Sequence, residues 1–255
     1  CVDESNREEV RIKLEKLEPQ TFESKLLLLR WSAELERLIP RVTISKYRDL
    51  MQSAISNEVH REKAAFHFAD FLDSKIVPGP VWDGKILARE IAVNFFESIK
   101  FDVSGKRTLY TVNRLLELHY EDSHNPGSPG HYAAEIVKVL AAGWKQVPVW
   151  VWAQALPQLI PRLTGESPDF AGLMEKIVST VLCTYPRQAG WSFIQLLTSR
   201  NLERKKIGTR IFNSVAAKAE YPNMGQLLTL IKTVGDSFVF VARMDGDNLK
   251  QLSQS

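Results

Sequence analysis

Residues 21–39 read TFESKLLLLRWSAELERLI, and this stretch decides the fold class. Leu27, Trp31, Leu35 and Leu38 recur at steps of three and four residues, the spacing that places side chains on one face of an α-helix. Most charged residues between them fall on other faces. Pro40 ends the pattern, because a proline inside a helix removes a hydrogen bond and clashes with the preceding turn. The stretch therefore predicts an amphipathic helix that packs against other helices.

The same periodicity continues along the rest of the chain, and strict alternation of apolar and polar residues is nearly absent. The pattern predicts further helices at about 45–57, 59–76, 84–101, 105–121, 131–144, 148–163, 168–185, 187–199, 201–220 and 223–236. The inward residues expected for 59–76 are Ala65, Phe66, Ala69 and Leu72, and those for 84–101 are Ile86, Ile91, Phe95 and Ile99. The fold class is therefore predicted to be all-α.

Short loops between amphipathic helices favour antiparallel hairpins. The hairpin starts recur about every 33 to 47 residues, which is the range of tetratricopeptide and related repeats. We therefore expect antiparallel helical-hairpin repeats that form an α-solenoid of the tetratricopeptide or HEAT type. The predicted divisions are a first repeat part, a loop rich in turn-forming residues, a second repeat part, and a tail that is either a short strand or a frayed helix. These divisions cover 1–121, 122–130, 131–236 and 237–255.

Composition excludes several classes of protein. The chain has 255 residues, of which 44% are hydrophobic and 25% charged, as in an ordinary globular protein. The net charge of +3 is too small to indicate nucleic acid or a membrane surface as partner. The chain has only two cysteines, Cys1 and Cys183, which excludes a disulfide scaffold. No apolar run approaches the ~20 residues of a membrane span, which excludes a transmembrane protein. Because the chain begins with Cys1 and carries no secretory signal, we expect a fragment of a longer polypeptide.

Three partial motifs fail when their chemistry is considered. GPVWDGKI at 79–86 lacks the Ser or Thr that a phosphate loop needs at Ile86 to hold Mg²⁺. DFAG at 169–172 is one residue too long for the metal-binding DFG of kinases, and Ser167 before it suits a helix cap. The acidic residues at 245–248 lack the glycine and glutamate positions of a calcium loop.

No other residue pattern predicts catalysis, a metal or a cofactor in this segment. The histidines and their acidic neighbours match no metal-ligand spacing; they are His60, His67, Asp70, His119, Glu121, Asp122, His124 and His131. Cys183 follows an apolar run and is expected to be a buried, inert thiol. Trp144, Trp150 and Trp152 are expected in the core, because they are not interleaved with the cations that base stacking would require. Direct nucleic-acid binding is therefore not expected.

One dense positive cluster remains. It consists of Arg200, Arg204, Lys205, Lys206 and Arg210, with Glu203 as the acidic residue among them. Such a cluster is commonly a solvated helix face. It is also a candidate surface for an anionic ligand or an acidic partner, because several cations within three helical turns can converge on one polyanion.

Two motifs in order carry a family resemblance. VPVW at 147–150 leads into ALPQLIPRL at 155–163, and YPRQAGW at 185–191 follows after a further helix. This arrangement resembles the FAT domain of the phosphatidylinositol 3-kinase-related protein kinases. The likeness is closest to the ATR-type checkpoint kinases, because a short connection leads to the basic stretch at 204–210. Residues 62–73 also resemble a tetratricopeptide-like helix of that family, with Phe71 and Leu72 in place of paired tyrosines.

The resemblance implies a large nuclear serine/threonine kinase of DNA damage, DNA repair and replication checkpoints as the parent protein. ATP and Mg²⁺ would bind in a kinase domain absent from this chain, which would act as a regulatory scaffold around that domain. The implied partners are the kinase domain, neighbouring helical repeats and, in a dimeric assembly, an accessory subunit. The resemblance implies no membrane partner. We also expect Trp191 to be buried, so that Trp191→Ala would destabilise the fold by about 3 to 5 kcal/mol.

Two alternatives stay open at this stage. The chain could be a free-standing helical-repeat adaptor that binds a peptide or protein in its groove. It could also be a FAT segment of another kinase of the same superfamily. In that second case the resemblance implies that the basic cluster at 200–210 could hold an inositol polyphosphate.

Overall fold

The computed structural model describes residues 9, 12–13, 16, 21–34, 39–76, 83–102, 104–124, 132–164, 167–217 and 223–252. The α-helices are α1 Phe22–Glu34, α2 Pro40–Ser53, α3 Glu58–Lys75, α4 Gly84–Phe101, α5 Thr108–His124, α6 Ala133–Gly143, α7 Val149–Leu159, α8 Pro168–Thr184, α9 Pro186–Leu197, α10 Leu202–Ala216 and α11 Met224–Leu252. Short 3₁₀ helices follow α6 at Trp144–Gln146 and α7 at Ile160–Leu163. No strand occurs in these described ranges, and the predicted all-α helical-repeat fold is confirmed. None of the described helices is long and apolar enough to cross a membrane.

The chain divides into two compact units, Cys1–Val147 (unit 1) and Pro148–Ser255 (unit 2). The boundary between the two units is C-terminal to the predicted loop at 122–130, and the first three residues of that predicted loop belong to α5. The reason is that Asp122 is buried at the end of α5 and its Oδ2 accepts a hydrogen bond from the N–H of Ala133 at 2.7 Å. A turn-forming residue is thereby used to cap the start of α6. Residues 125–130 lie outside the described part.

In unit 1, α3 and α4 form an antiparallel hairpin. Arg61 near the start of α3 pairs with Glu97 near the end of α4, and the Phe66 and Phe95 rings lie 6.1 Å apart. On α5, Tyr110 places its ring 5.7 Å from that of Phe66. Buried residues at three- and four-residue spacing form the core of the hairpin. Of the residues predicted to face inward, six are buried and Phe66 is only half-buried; the buried ones are Ala65, Ala69, Leu72, Ile91, Phe95 and Ile99.

Two predicted helix faces are wrong in detail. In α1 the buried residues are Leu26, Leu29 and Ala33, not the stripe through Leu27 and Trp31. Four consecutive leucines cover more than one face, so periodicity alone cannot choose between them. In α4, Ile86 is 68% exposed. It precedes the buried Phe95 by nine residues, which is two and a half helical turns and therefore the opposite face.

Helix starts follow capping chemistry. Pro40 opens α2 rather than only ending the preceding segment, because the first turn needs no N–H from residue N1. The side chains of Asn57, Asp83, Ser167 and Asn201 accept hydrogen bonds from backbone N–H groups in the first turns of α3, α4, α8 and α10. Ser167 is thus confirmed as a cap, and Asp83 caps a helix where the phosphate-loop pattern fell.

In unit 2, glycines let three helices approach closely. A Cβ on Gly190 of α9 would lie 2.5 Å from Ile231 of α11, and one on Gly235 of α11 would lie 1.8 Å from Ile194 of α9. The contact advances by four residues on both helices, so α9 and α11 run parallel. The same α11 continues to Leu252, so of the two alternatives predicted for the tail the structure shows the helix and not the strand.

We expect Gly208→Ala in α10 to lower the free energy of unfolding by about 1 to 3 kcal/mol. A Cβ at this position would lie 2.8 Å from Leu196 Cβ and 3.2 Å from the Leu196 carbonyl carbon, and backbone cannot move aside as a side chain can. Gly172→Ala in α8 is the matched control, because its Cβ would meet nothing within 4 Å. That control is expected to gain about 0.5 to 1 kcal/mol from helix propensity. Urea unfolding of both variants checks the predicted opposite signs.

Candidate functional site

The predicted basic cluster lies on and just before α10. Asn201 fixes the start of the helix, because its Oδ1 accepts hydrogen bonds from the N–H groups of Glu203 at 2.9 Å and Arg204 at 3.2 Å. Gly208, Ile211 and Val215 are buried and hold one face of α10 in unit 2. The remaining face is therefore presented to solvent.

Three of the five predicted cations share that exposed face. Lys205, Lys206 and Arg210 line a shallow groove together with Leu202, Thr209 and Asn213. Because these positions recur at three- and four-residue steps, their side chains stand side by side. No ion pair with another described residue engages Lys205 or Lys206. Arg200 is exposed as well, but it precedes the helix and does not line the groove.

Arg210 is anchored across to α8. Its Nε donates to Glu175 Oε1 at 2.9 Å, and its second guanidinium nitrogen donates to Oε2. These hydrogen bonds to the Glu175 carboxylate raise the pKa of Arg210 further, so the guanidinium stays charged and is held in one orientation. The bidentate pair orients Arg210 and also offsets part of the positive charge of the groove.

Arg204 differs from the rest of the cluster. It is half-buried on the inner side of α10, and within the described part its Nε has no hydrogen-bond partner. An anion in the exposed groove would therefore contact Lys205, Lys206 and Arg210, but not Arg204.

The described histidine side chains, those of His60, His67 and His119, all lie in unit 1. The His60 ring stacks on Phe22 at 4.1 Å, and His119 is buried. Burial lowers the pKa of His67 to about 3, so its imidazole is neutral at physiological pH. His131 lies outside the described residues. In the described part, no three His, Cys, Asp or Glu side chains come together as metal ligands.

Some of the other residues that were predicted to lie in the core are more exposed than expected. Cys183 is buried, as predicted, and Trp152 is buried as well. Trp144 and Trp150 are only half-buried. Trp191 is 54% exposed, so the expectation that it is buried between helix pairs is wrong. The inward positions of α9 are taken by Ala189, Gly190, Phe193, Leu196 and Leu197.

A second surface in unit 1 was not predicted from the sequence. It is a groove of about 490 Å³ between α2 and α4, with α3 beneath it. Its lining residues are Arg48, Met51, Gln52, Ile55, Arg61, Phe68, Ile86, Arg89, Glu90, Val93 and Asn94. The sequence does carry one signal of this groove. Ile86 lies on the helix face opposite Phe95, so an apolar residue occupies an outer face of α4.

Comparison with known proteins finds similarity to one kind of kinase. Residues 135–232 match a family described as "Serine/threonine-protein kinase ATR-like, HEAT repeats". A relative described as "Serine/threonine-protein kinase MEC1" from Kluyveromyces lactis is 21% identical over 224 residues, which is 85% of this chain and 10% of that protein. The protein of the same description from Eremothecium gossypii is 25% identical over 122 residues, or 48% of this chain and 5% of that protein. No solved structure matches.

The matched range contains both motifs on which the sequence resemblance depends, at 155–163 and 185–191. It also contains α10 and its basic face. This chain spans a tenth of the length of the Kluyveromyces lactis protein. Residues 135–232 are therefore similar to the helical repeats of ATR-like serine/threonine kinases, and most of the chain is similar to a tenth of a serine/threonine kinase.

Proposed function

We propose that this chain is a regulatory and scaffolding segment of a large ATR-like kinase of the DNA damage and replication checkpoint. The observation that carries the proposal is the similarity over 85% of the chain to a protein described as a serine/threonine kinase, of which it spans a tenth. The all-α repeat fold supports it, because stacked helix pairs present long surfaces whose small rearrangements can bias a neighbouring domain.

Within such a kinase we assign the chain to the FAT region that clamps the kinase domain. The motifs at 155–163 and 185–191 support this assignment, whereas the matching family is described as HEAT repeats. The parent protein would act in the nucleus, with ATP and Mg²⁺ bound in its kinase domain. Its partners would be that domain, adjacent repeats and an accessory subunit.

The mass of the natural polypeptide is the first test. An antibody against this segment should detect, in a denatured extract of the source cells, a species many times larger than 29.0 kDa. The immunoprecipitate should phosphorylate Ser/Thr-Gln peptides. A band near 29.0 kDa would overturn the proposal and leave the adaptor alternative.

The regulatory role has its own test in the full-length protein. Gly208→Val should disturb the α9–α10 contact, where even a Cβ meets backbone, and should lower kinase activity per mole of precipitated protein several-fold. Gly172→Ala should leave that activity unchanged, because its Cβ meets open space. Equal activity of the wild type and Gly208→Val would contradict a clamp on the kinase domain.

We further propose the exposed face of α10 as a contact for an anion or an acidic partner surface. Lys205 and Lys206 line the groove beside the oriented guanidinium of Arg210. Calorimetric titration with inositol hexakisphosphate should give measurable heat that is lost in the double variant Lys205→Glu/Lys206→Glu. Lys46→Glu on α2, also at an exposed lysine, is the control. Absence of heat and of any thermal shift would exclude the polyphosphate.

A further inference from the structure

The unpredicted groove in unit 1 has an apolar lining that the protein leaves exposed. Ile55 is 56% exposed, Ile86 68% and Val93 46%, and all three line the same groove. Met51 and the buried Phe68 continue this surface between α2 and α3. Single exposed aliphatic residues are ordinary, but several in one concavity mark an interaction site.

The lining of the groove carries net positive charge. Three arginines and one carboxylate line it. Arg48 donates to Glu90 Oε1 at 2.7 Å, and Arg61 pairs with Glu97, so both guanidinium groups are held in place. Arg89 is exposed, and no described residue accepts a hydrogen bond from it. Cations that flank an apolar strip fit a ligand with apolar side chains between carboxylates.

A helix is the ligand shape that suits this surface. The groove lies between two helices over a third, which is the geometry into which an amphipathic helix places its apolar face. The described residues offer no sheet edge to which an extended peptide could add a strand. We propose that the α2–α3–α4 groove binds an amphipathic α-helix of a partner protein, with an aliphatic stripe against Ile55, Ile86 and Val93 and flanking carboxylates beside the arginines.

The test uses designed peptides and the full 255-residue chain. One fluorescent helical peptide carries a leucine stripe flanked by glutamates, and a second carries the same stripe flanked by lysines. Fluorescence anisotropy should show that the glutamate peptide binds at least about tenfold more tightly, with the difference shrinking at high salt. Equal affinity for the two peptides, or no binding of the glutamate peptide, would overturn the proposal.

Point variants locate the binding. Ile86→Glu should weaken the glutamate peptide about tenfold, and Arg89→Glu should weaken it about fivefold while strengthening the lysine peptide. Leu230→Glu and Arg41→Glu are controls at an exposed leucine and an exposed arginine outside the groove. Equal weakening by variant and control would contradict binding in the groove.

Sedimentation of the chain alone tests whether a second copy occupies the groove instead. A dimer that Ile86→Glu dissociates would assign the groove to a second copy and overturn the proposal.

Discussion

Phe193→Ala lowers the free energy of unfolding by about 3 to 5 kcal/mol, because the ring is removed from a site that cannot fully collapse around the missing volume. Phe193 lies on α9 and is 1% exposed. The measurement is urea unfolding of the 255-residue chain followed by circular dichroism. The loss should appear as a shift of the transition of unit 2, because Phe193 lies in that unit.

Trp191→Ala is the matched variant two residues away on the same helix. Because the Trp191 side chain is 54% exposed, its removal is expected to cost less than about 1 kcal/mol. A loss for Trp191→Ala equal to that for Phe193→Ala would show that the tryptophan is covered, as the sequence had suggested. The sequence cannot separate the two aromatic residues, since both belong to one helix and differ only in the face that they occupy.

Asp102→Ala is expected to lower the free energy of unfolding by about 3 kcal/mol, because one carboxylate organises the whole turn between α4 and α5. Its Oδ1 accepts from the N–H of Ser104 at 3.1 Å, the Ser104 hydroxyl at 2.7 Å and the N–H of Gly105 at 2.9 Å. Its Oδ2 accepts from the N–H of Arg107 and the hydroxyl of Thr108, both at 3.1 Å. Gly105 has φ of 68°, a conformation that suits glycine.

The same carboxylate predicts a pH dependence. Burial alone would raise the pKa of Asp102, but the hydrogen bonds from Ser104, Arg107, Thr108 and Gly105 together outweigh burial and lower it below the usual value. A carboxyl whose folded pKa is depressed stabilises the fold above its unfolded pKa of about 4 and loses that contribution as the pH falls through the folded pKa. The stability difference between wild type and Asp102→Asn should therefore be largest near neutral pH and shrink below about pH 4. A difference that is constant from pH 7 to pH 3 would contradict a charged Asp102.

Helix positions could be predicted from the sequence because the deciding forces are local. Apolar periodicity, capping side chains such as Asn57 and Ser167, and prolines at first turns act within a few residues of the backbone that they order. The predicted helices therefore overlap those of the structure along the described chain. The motifs at 155–163 and 185–191 likewise carried the kinase resemblance from short segments alone.

The candidate surfaces were only partly accessible to such reasoning. The basic cluster is contiguous in sequence, so charge density on one helix was sufficient to find it. The ion-pair partner of Arg210 could not be predicted, because Glu175 lies 35 residues away and on another helix. The groove in unit 1 was missed for the same reason, since its residues come from three helices that meet only in the folded unit.

The sequence by itself determined the all-α class, the order of the helices and the cations of α10. Only the tertiary structure decided which faces those helices bury. It placed Ile86 and Trp191 outside, Leu26 and Phe193 inside, and Asp122 at the end of a helix rather than in a loop. The physical reason is that periodicity fixes the angle between residues around one helix, whereas the direction that becomes buried depends on which other helices pack against it.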